Sequence, residues 1–290
     1  MIKKAIKSFL KIVKDMVLTM SFFMKYIILK SGRYKRFKYQ KRRSGAISLL
    51  ANAPSLKDVL PRVLTDEDFK NTDFIVLNYF AFCDEFFKIR PTHYCLADPM
   101  FFHKNNRYDD VKRLFHILQN DVDWNVNLYV PAHMRKTFIT FSGLTNPHIN
   151  IVSVVSDIYF GFECFRNWAY KHNLAIPLIQ TVANLAIYVG INSGYDEMHL
   201  YGVDHTFFDG LCVNERNELC MLDRHFYDDK PDLKPVRRND NDEIFKISDY
   251  VLSIGRMFES HDLLNAYAGY IGISIKNCTK VSLIDSYPRD

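Results

Sequence analysis

The chain has 290 residues, of which 48% are apolar, 24% charged and 14% aromatic, a composition that suits a folded body with a sizeable core and excludes a disordered or collagen-like chain. The net charge of +5 conceals a division: residues 1–43 carry fourteen Lys and Arg against one acid, Asp15 (about +13), and the remainder carries 24 bases against 32 acids (about −8). Six cysteines with no CxxC pair and no regular spacing read as reduced thiols, which argues against a disulfide scaffold and against a zinc site.

The first predicted element is a basic amphipathic helix. Ile2, Ile6, Phe9, Leu10, Val13, Met16 and Val17 recur at helical period, with Lys3, Lys4, Lys7, Lys11 and Lys14 on the other face. The run from Met16 to Leu29 is more apolar, but it is broken by Lys25 and falls short of the roughly 20 residues needed to span a bilayer. Bases interleaved with aromatics follow from Arg33 to Arg43. Residues 1–43 therefore read as a membrane-associating extension, with its apolar face in the interface and each base drawn to anionic headgroups by about 1 kcal/mol. Packing against the body or a second subunit is the competing reading. Nucleic-acid binding lacks a second basic surface to support it. The expected location is cytoplasmic, attached peripherally to the inner face of the cell membrane.

Residues 44–290 read as a single α/β domain in which strands alternate with helices. Strands are predicted at Ala46–Pro54, Asp73–Phe80, Thr92–Pro99, Asn125–Pro131, within 148–155, at Asp196–Asp204 and at Ile273–Lys280. Helices are predicted at Leu56–Leu64, Tyr108–Gln119, Pro177–Ser193 and Ile247–Gly272. Such alternation predicts a mostly parallel sheet with helices on both faces and a ligand beyond the carboxyl ends of its strands. Four strand ends carry small or short polar residues, suited to holding a nucleotide: Asn52-Ala-Pro-Ser55, Asn78-Tyr-Phe80, Ala97-Asp98-Pro99 and Gly202-Val-Asp204. An Asx turn explains any one of them alone; their recurrence is what points to a site. There is no P-loop, no G-x-G-x-x-G and no G-x-S-x-G, so kinase and lipase readings lose their usual support. Two Asp-x-Asp motifs, Asp121/Asp123 and Asp240/Asp242, follow no apolar strand, which weakens a metal-binding role.

ANAPSLKDVL, then FIVLNYFAFCDEFFKIRPTHYCLADPMFF, then GYDEMHLYGVDHTF resemble in order and spacing the small bacterial sialyltransferases of glycosyltransferase family 42. Residues 46–103 and 176–208 carry the resemblance, with a weaker helix–strand match near 260–285. It implies a GT-A-type Rossmann-like sheet, a CMP-activated nonulosonic acid as donor, and inverting transfer without a metal or other cofactor. On that analogy Asn52 and Ser55 lie near the donor phosphate and ribose, Asn78 contacts the nucleotide, and Asp98 replaces a family Asn. Thr181 and Val182 stand where the family has a Thr-Ser pair, and Gly202 and Asp204 edge the cleft. Thr206 replaces a Tyr that assists the leaving phosphate. The family's base is a His in a downstream lid, which points here to His225 within a lid near 208–246, with Tyr227 or Arg224 as a phosphate partner. His205 beside Asp204 is the rival base.

The expected function is therefore transfer of sialic acid, another nonulosonic acid or Kdo from a CMP-sugar to a cell-surface glycan or glycolipid. The alternatives are a metal-dependent UDP- or GDP-sugar transferase and a non-catalytic membrane-surface scaffold. Self-association is left open, since no stripe specifies it.

Overall fold

The computed structural model describes residues 2–29, 44–105, 107–222, 233–238 and 243–289. Its centre is a sheet of seven parallel strands: β1 (Ala46–Leu50), β2 (Thr72–Leu77), β3 (His93–Cys95), β4 (Val126–Pro131), β5 (Ile149–Val154), β6 (Glu197–Tyr201) and β10 (Ser274–Asn277). The order across the sheet is β10-β6-β1-β2-β3-β4-β5. The chain thus winds outward from β1 to β5, returns to the other side of β1, and continues outward through β6 to β10. The reversal lies between β1 and β6, and in open parallel sheets ligands sit at such a switch point.

Alternation along the strands explains the two-sided core, because successive side chains leave opposite faces. Ile47, Leu49, Ile75 and Leu77 enter one cluster, and Leu50, Val76, Leu128 and Val130 enter the other. Around the sheet lie α2 (Glu85–Ile89), α3 (Tyr108–Asn120), α4 (Arg135–Ser142), α5 (Glu163–Lys171), α6 (Val182–Asn192) and α7 (Ile247–Ile271). Every residue of α6 is buried, since it is packed between β1–β3 on one side and α7 on the other. A helix apolar all round needs such a position.

Several expected boundaries move. The second strand stops at Leu77, because Asn78 turns the chain with φ 44° into a 3₁₀ segment, Asn78–Phe82. The helix expected from Leu56 is a 3₁₀ turn at Pro54–Asp58 followed by further turns. Residues 177–180 lie outside α6, which begins at its cap, Thr181. In the lid region 208–246, the described residues form a small antiparallel sheet of β7 (Cys212–Val213), β8 (Leu219–Leu222) and β9 (Leu233–Pro235), and Leu219 packs with Tyr250, Ile254 and Met257 of α7.

The N-terminal helix α1 runs unbroken from Ile2 to Leu29. Its second half rests on the body. Thr19 Oγ1 lies 2.7 Å from the Tyr159 hydroxyl, Lys25 pairs with Asp157 at 2.7 Å, and Phe23 meets Phe165 and Trp168. Residues advance about 100° around a helix, so Ile6, Phe9, Leu10, Val17, Met20 and Met24 form a separate stripe, and that stripe is exposed. Among the described residues, no helix is long and apolar enough to cross a membrane.

Candidate active site

A cavity of about 370 Å³ opens at the switch point, where β1 and β6 deliver their carboxyl ends and α6 begins. Its size lies in the range of small-molecule sites. Asn52, Asn78, Thr181, Gly202, Asp204 and His205 line it, so five of the expected donor-binding residues and the rival base come together. The loops after β1 and β6 are laced by backbone bonds, Ala51 N–H to the Tyr201 carbonyl at 2.9 Å and Ala53 N–H to the Gly202 carbonyl at 3.1 Å. Gly202 has φ +67°, and a Cβ there would stand 2.9 Å from Leu56 Cβ. Only glycine suits this close approach.

Asn52 is 9% exposed, and both polar atoms of its amide are buried with no partner. Buried amides are nearly always hydrogen-bonded, so this one has the form of a group awaiting a ligand. The Asn78 Oδ1 atom is likewise buried without a partner, while its Nδ2 donates to Asp98 Oδ2 at 2.7 Å. Tyr94 donates its hydroxyl to the Asn78 carbonyl. Asp98 thus orients Asn78 from behind. Ser55 is turned to Asp204: its hydroxyl donates to Oδ1 and its N–H to Oδ2, the latter at 3.2 Å. Burial pushes the Asp204 carboxyl above its usual range, and the two Ser55 donors oppose that shift.

Thr181 caps α6, and Thr181, Val182 and Ala183 border the cavity. The first N–H groups of a helix have no intrahelical acceptor, and its N-terminus carries partial positive charge, so this end suits an anion. The described lining has two acids, Asp204 and Asp209, and no Lys or Arg. Cationic side chains stand next door instead. An adjoining cleft of about 480 Å³ shares Thr181, Phe207 and Met221 with the first and adds Arg237, Arg238 and Arg256.

His205 has φ 51°, a left-handed conformation uncommon outside glycine. Its Nε2 lies 3.0 Å from His261 Nε2, and His261 Nδ1 lies 3.1 Å from the Tyr287 hydroxyl. Burial holds the His205 pKa well below its ordinary value, with His261 adding to the effect, and burial lowers His261 to about 3. Both imidazoles are neutral at pH 7. Sequence reasoning missed His261, Asn184 and Tyr287. The available signal was a His on the buried face of α7, in step with Tyr250, Ile254, Met257 and Leu264.

Three expected residues, Arg224, His225 and Tyr227, lie outside the described residues, as do Asp240 and Asp242. Asp121 and Asp123 occupy the turn before β4. Because the strands are parallel, that turn is at their amino ends, opposite the carboxyl ends that border the cavity, and Asp123 pairs there with Arg90 at 2.8 Å. Among the described residues, no group of three or more His, Cys, Asp or Glu is arranged to hold a metal ion.

No protein-family model and no curated protein sequence matches the chain. Among solved structures, the MAf glycosyltransferase from Magnetospirillum magneticum AMB-1 aligns over 89% of this chain at 13% identity, with a TM-score of 0.44. The aligned region is 35% of that protein, so the chain spans about a third of its length.

Proposed function

We propose that this chain is an inverting glycosyltransferase that moves a sialic acid, another nonulosonic acid or Kdo from a CMP-activated donor to a glycan or glycolipid acceptor. The observation that carries the reading is the unpartnered, buried Asn52 amide at a switch-point cavity that also receives the N-terminus of α6. In this reading the Asn52 and Asn78 amides take up the nucleotide, and the first turn of α6 receives its phosphate. CMP departs with its charge on a single phosphate, which a helix N-terminus and hydrogen-bond donors can stabilise, so the reaction needs no metal. Arg224 and Tyr227 are proposed as further phosphate partners.

The acceptor occupies the adjoining cleft, where Arg237, Arg238 and Arg256 outnumber the one acid of the described lining, Asp249, which lies 3.9 Å from Arg238, and so favour an acidic glycan. A neutral imidazole takes the proton of the attacking hydroxyl. Among the described residues His205 is the imidazole at the cavity; His225 is the second candidate. The exposed apolar stripe of α1, with lysines beside it, supports peripheral attachment to the inner face of the cell membrane, close to a membrane-bound acceptor.

The test is release of CMP from CMP-N-acetylneuraminic acid and CMP-Kdo by the full chain, with acidic and neutral glycans, in EDTA and in Mn²⁺. The reading expects CMP release that EDTA does not abolish and that an acidic acceptor accelerates. Turnover of UDP- or GDP-sugars alone, dependent on Mn²⁺, would overturn it, and so would an inert chain under all conditions.

A further inference from the structure

The buried histidine pair is organised by an amide whose orientation is fixed. The Thr181 backbone N–H faces one polar atom of the Asn184 side chain at 3.3 Å, and the Thr181 hydroxyl faces the same atom at 3.3 Å. A backbone N–H can only donate, so that atom is the amide oxygen. The amide nitrogen then faces His261 Nε2, at 3.2 Å. An amide nitrogen also only donates, so His261 Nε2 holds a lone pair and the proton of this neutral ring is on Nδ1, directed to the Tyr287 hydroxyl at 3.1 Å. His205 Nε2, 3.0 Å from the same lone pair, must in turn carry its own proton and donate it. The lone pair of His205 is left on Nδ1.

From this geometry we infer that Asn184, His261 and Tyr287 are positioning residues that set the tautomer of His205, making His205 Nδ1 the proton acceptor of the site. This inference rests on the transferase reading and adds the protonation of its base and the groups that set it. The capping box of α6 performs two tasks, since the residue that closes the helix end also fixes the proton order of the pair. A third group holding a catalytic imidazole in its working tautomer is a recurring arrangement; here a neutral imidazole does so, and both rings are buried.

The acceptor O–H bond breaks and its proton passes to His205 Nδ1. The oxygen electron pair forms the bond to the anomeric carbon of the donor. The bond from that carbon to the phosphate oxygen breaks, its electron pair leaving on CMP. The resulting imidazolium donates through Nε2–H to the lone pair of His261, and gives up its extra proton to solvent after the product leaves.

The experiment is nitrogen NMR of the full chain labelled with ¹⁵N-histidine, without nucleotide, assigned with His205→Gln and His261→Gln. Expected are a pyridine-type Nδ1 and pyrrole-type Nε2 for His205, and the reverse for His261, unchanged from pH 8 to pH 6. A pyrrole-type His205 Nδ1 would overturn the inference. Asn184→Asp keeps an acceptor for Thr181 but turns an acceptor toward His261 Nε2, so both rings should exchange tautomers and turnover of CMP-N-acetylneuraminic acid should fall about a hundredfold or more, within the usual share of a general base. Retention of the original tautomers in that variant would also overturn it, and if the variant does not fold, the wild-type spectrum alone decides. The tautomers are read without substrate, so an inert chain with the expected spectrum removes the transferase reading and leaves the proton order standing.

Discussion

Two polar atoms of the Asn52 amide are buried without a partner, and leaving such groups unpaired costs about 1–3 kcal/mol each. Asn78 repeats the pattern on the neighbouring strand end with one atom. Strain lies beside them, since Asn78 and His205 both hold positive φ, and strained backbone clusters where ligands are gripped. Gly202 permits the approach of β6 to the turn after β1. Gly202→Ala is expected to lower stability by at least about 1–2 kcal/mol, the penalty of a left-handed L-residue, because the new Cβ also meets Leu56 Cβ at 2.9 Å. Urea unfolding measures the loss. An unchanged midpoint would mean that the turn relaxes freely and that the cavity wall is not held as described. Ser55 shows what a residue pattern leaves open. Its place in the turn was legible, but its partner, Asp204, lies 149 residues away, and only the fold joins them.

At the scale of elements, α6 closes the cleft floor while α1 faces outward. The apolar period of α1 was readable, whereas its division of labour was not. Thr19, Phe22, Phe23 and Tyr26 share a face only when the helix continues past Met16, and the partners that cover them, Tyr159, Phe165 and Trp168, come from a segment without a clear sequence pattern. The stripe left exposed should bind anionic vesicles. Phe9→Asp with Val17→Asp places two charges on it, and vesicle flotation should show at least a tenfold loss of binding with no change in stability. Equal flotation of variant and parent would assign any membrane affinity to another surface. The second strand was over-read for a similar reason: Tyr79 and Phe80 are as apolar and buried as strand residues, so hydrophobicity carried the expectation past Asn78, where the backbone turns.

In the whole molecule the switch point of the parallel sheet, the cleft and the His205–His261 pair coincide. The strand–helix alternation made the sheet legible, and with it the carboxyl-end location of the site. The His205–His261–Tyr287 contact was not legible, because it joins the β6 loop, α7 and the C-terminal segment through tertiary packing alone. That burial has a thermodynamic signature. His205, His261 and His93 are held neutral by burial, with His261 lowered to about 3 and His93 to about 4. A lowered folded-state pKa means the unfolded chain binds the proton more tightly. These groups thus support the fold fully above about pH 6.5, and that support declines as pH falls from 6.5 toward 4, by up to about 1.4 kcal/mol per pH unit for each. The raised Asp204 carboxyl acts oppositely: its relative support is present below the ordinary carboxylate range and is lost as pH rises through its folded value. Unfolding measured from pH 7 to pH 4 should show the decline, and His261→Gln should flatten it. A slope equal in both would show that the pair is solvated.

Calorimetric titration of CMP into the full chain and into Asn52→Ala, both in EDTA, shows whether the Asn52 cavity receives a cytidine monophosphate. Expected are saturable one-site binding to the parent, at least tenfold weaker binding to the variant, and a variant Tm no lower than the parent's, because the amide has no protein partner to lose. Equal affinity for both proteins, or no binding of CMP to the parent while a nucleoside diphosphate binds with Mn²⁺, would contradict it.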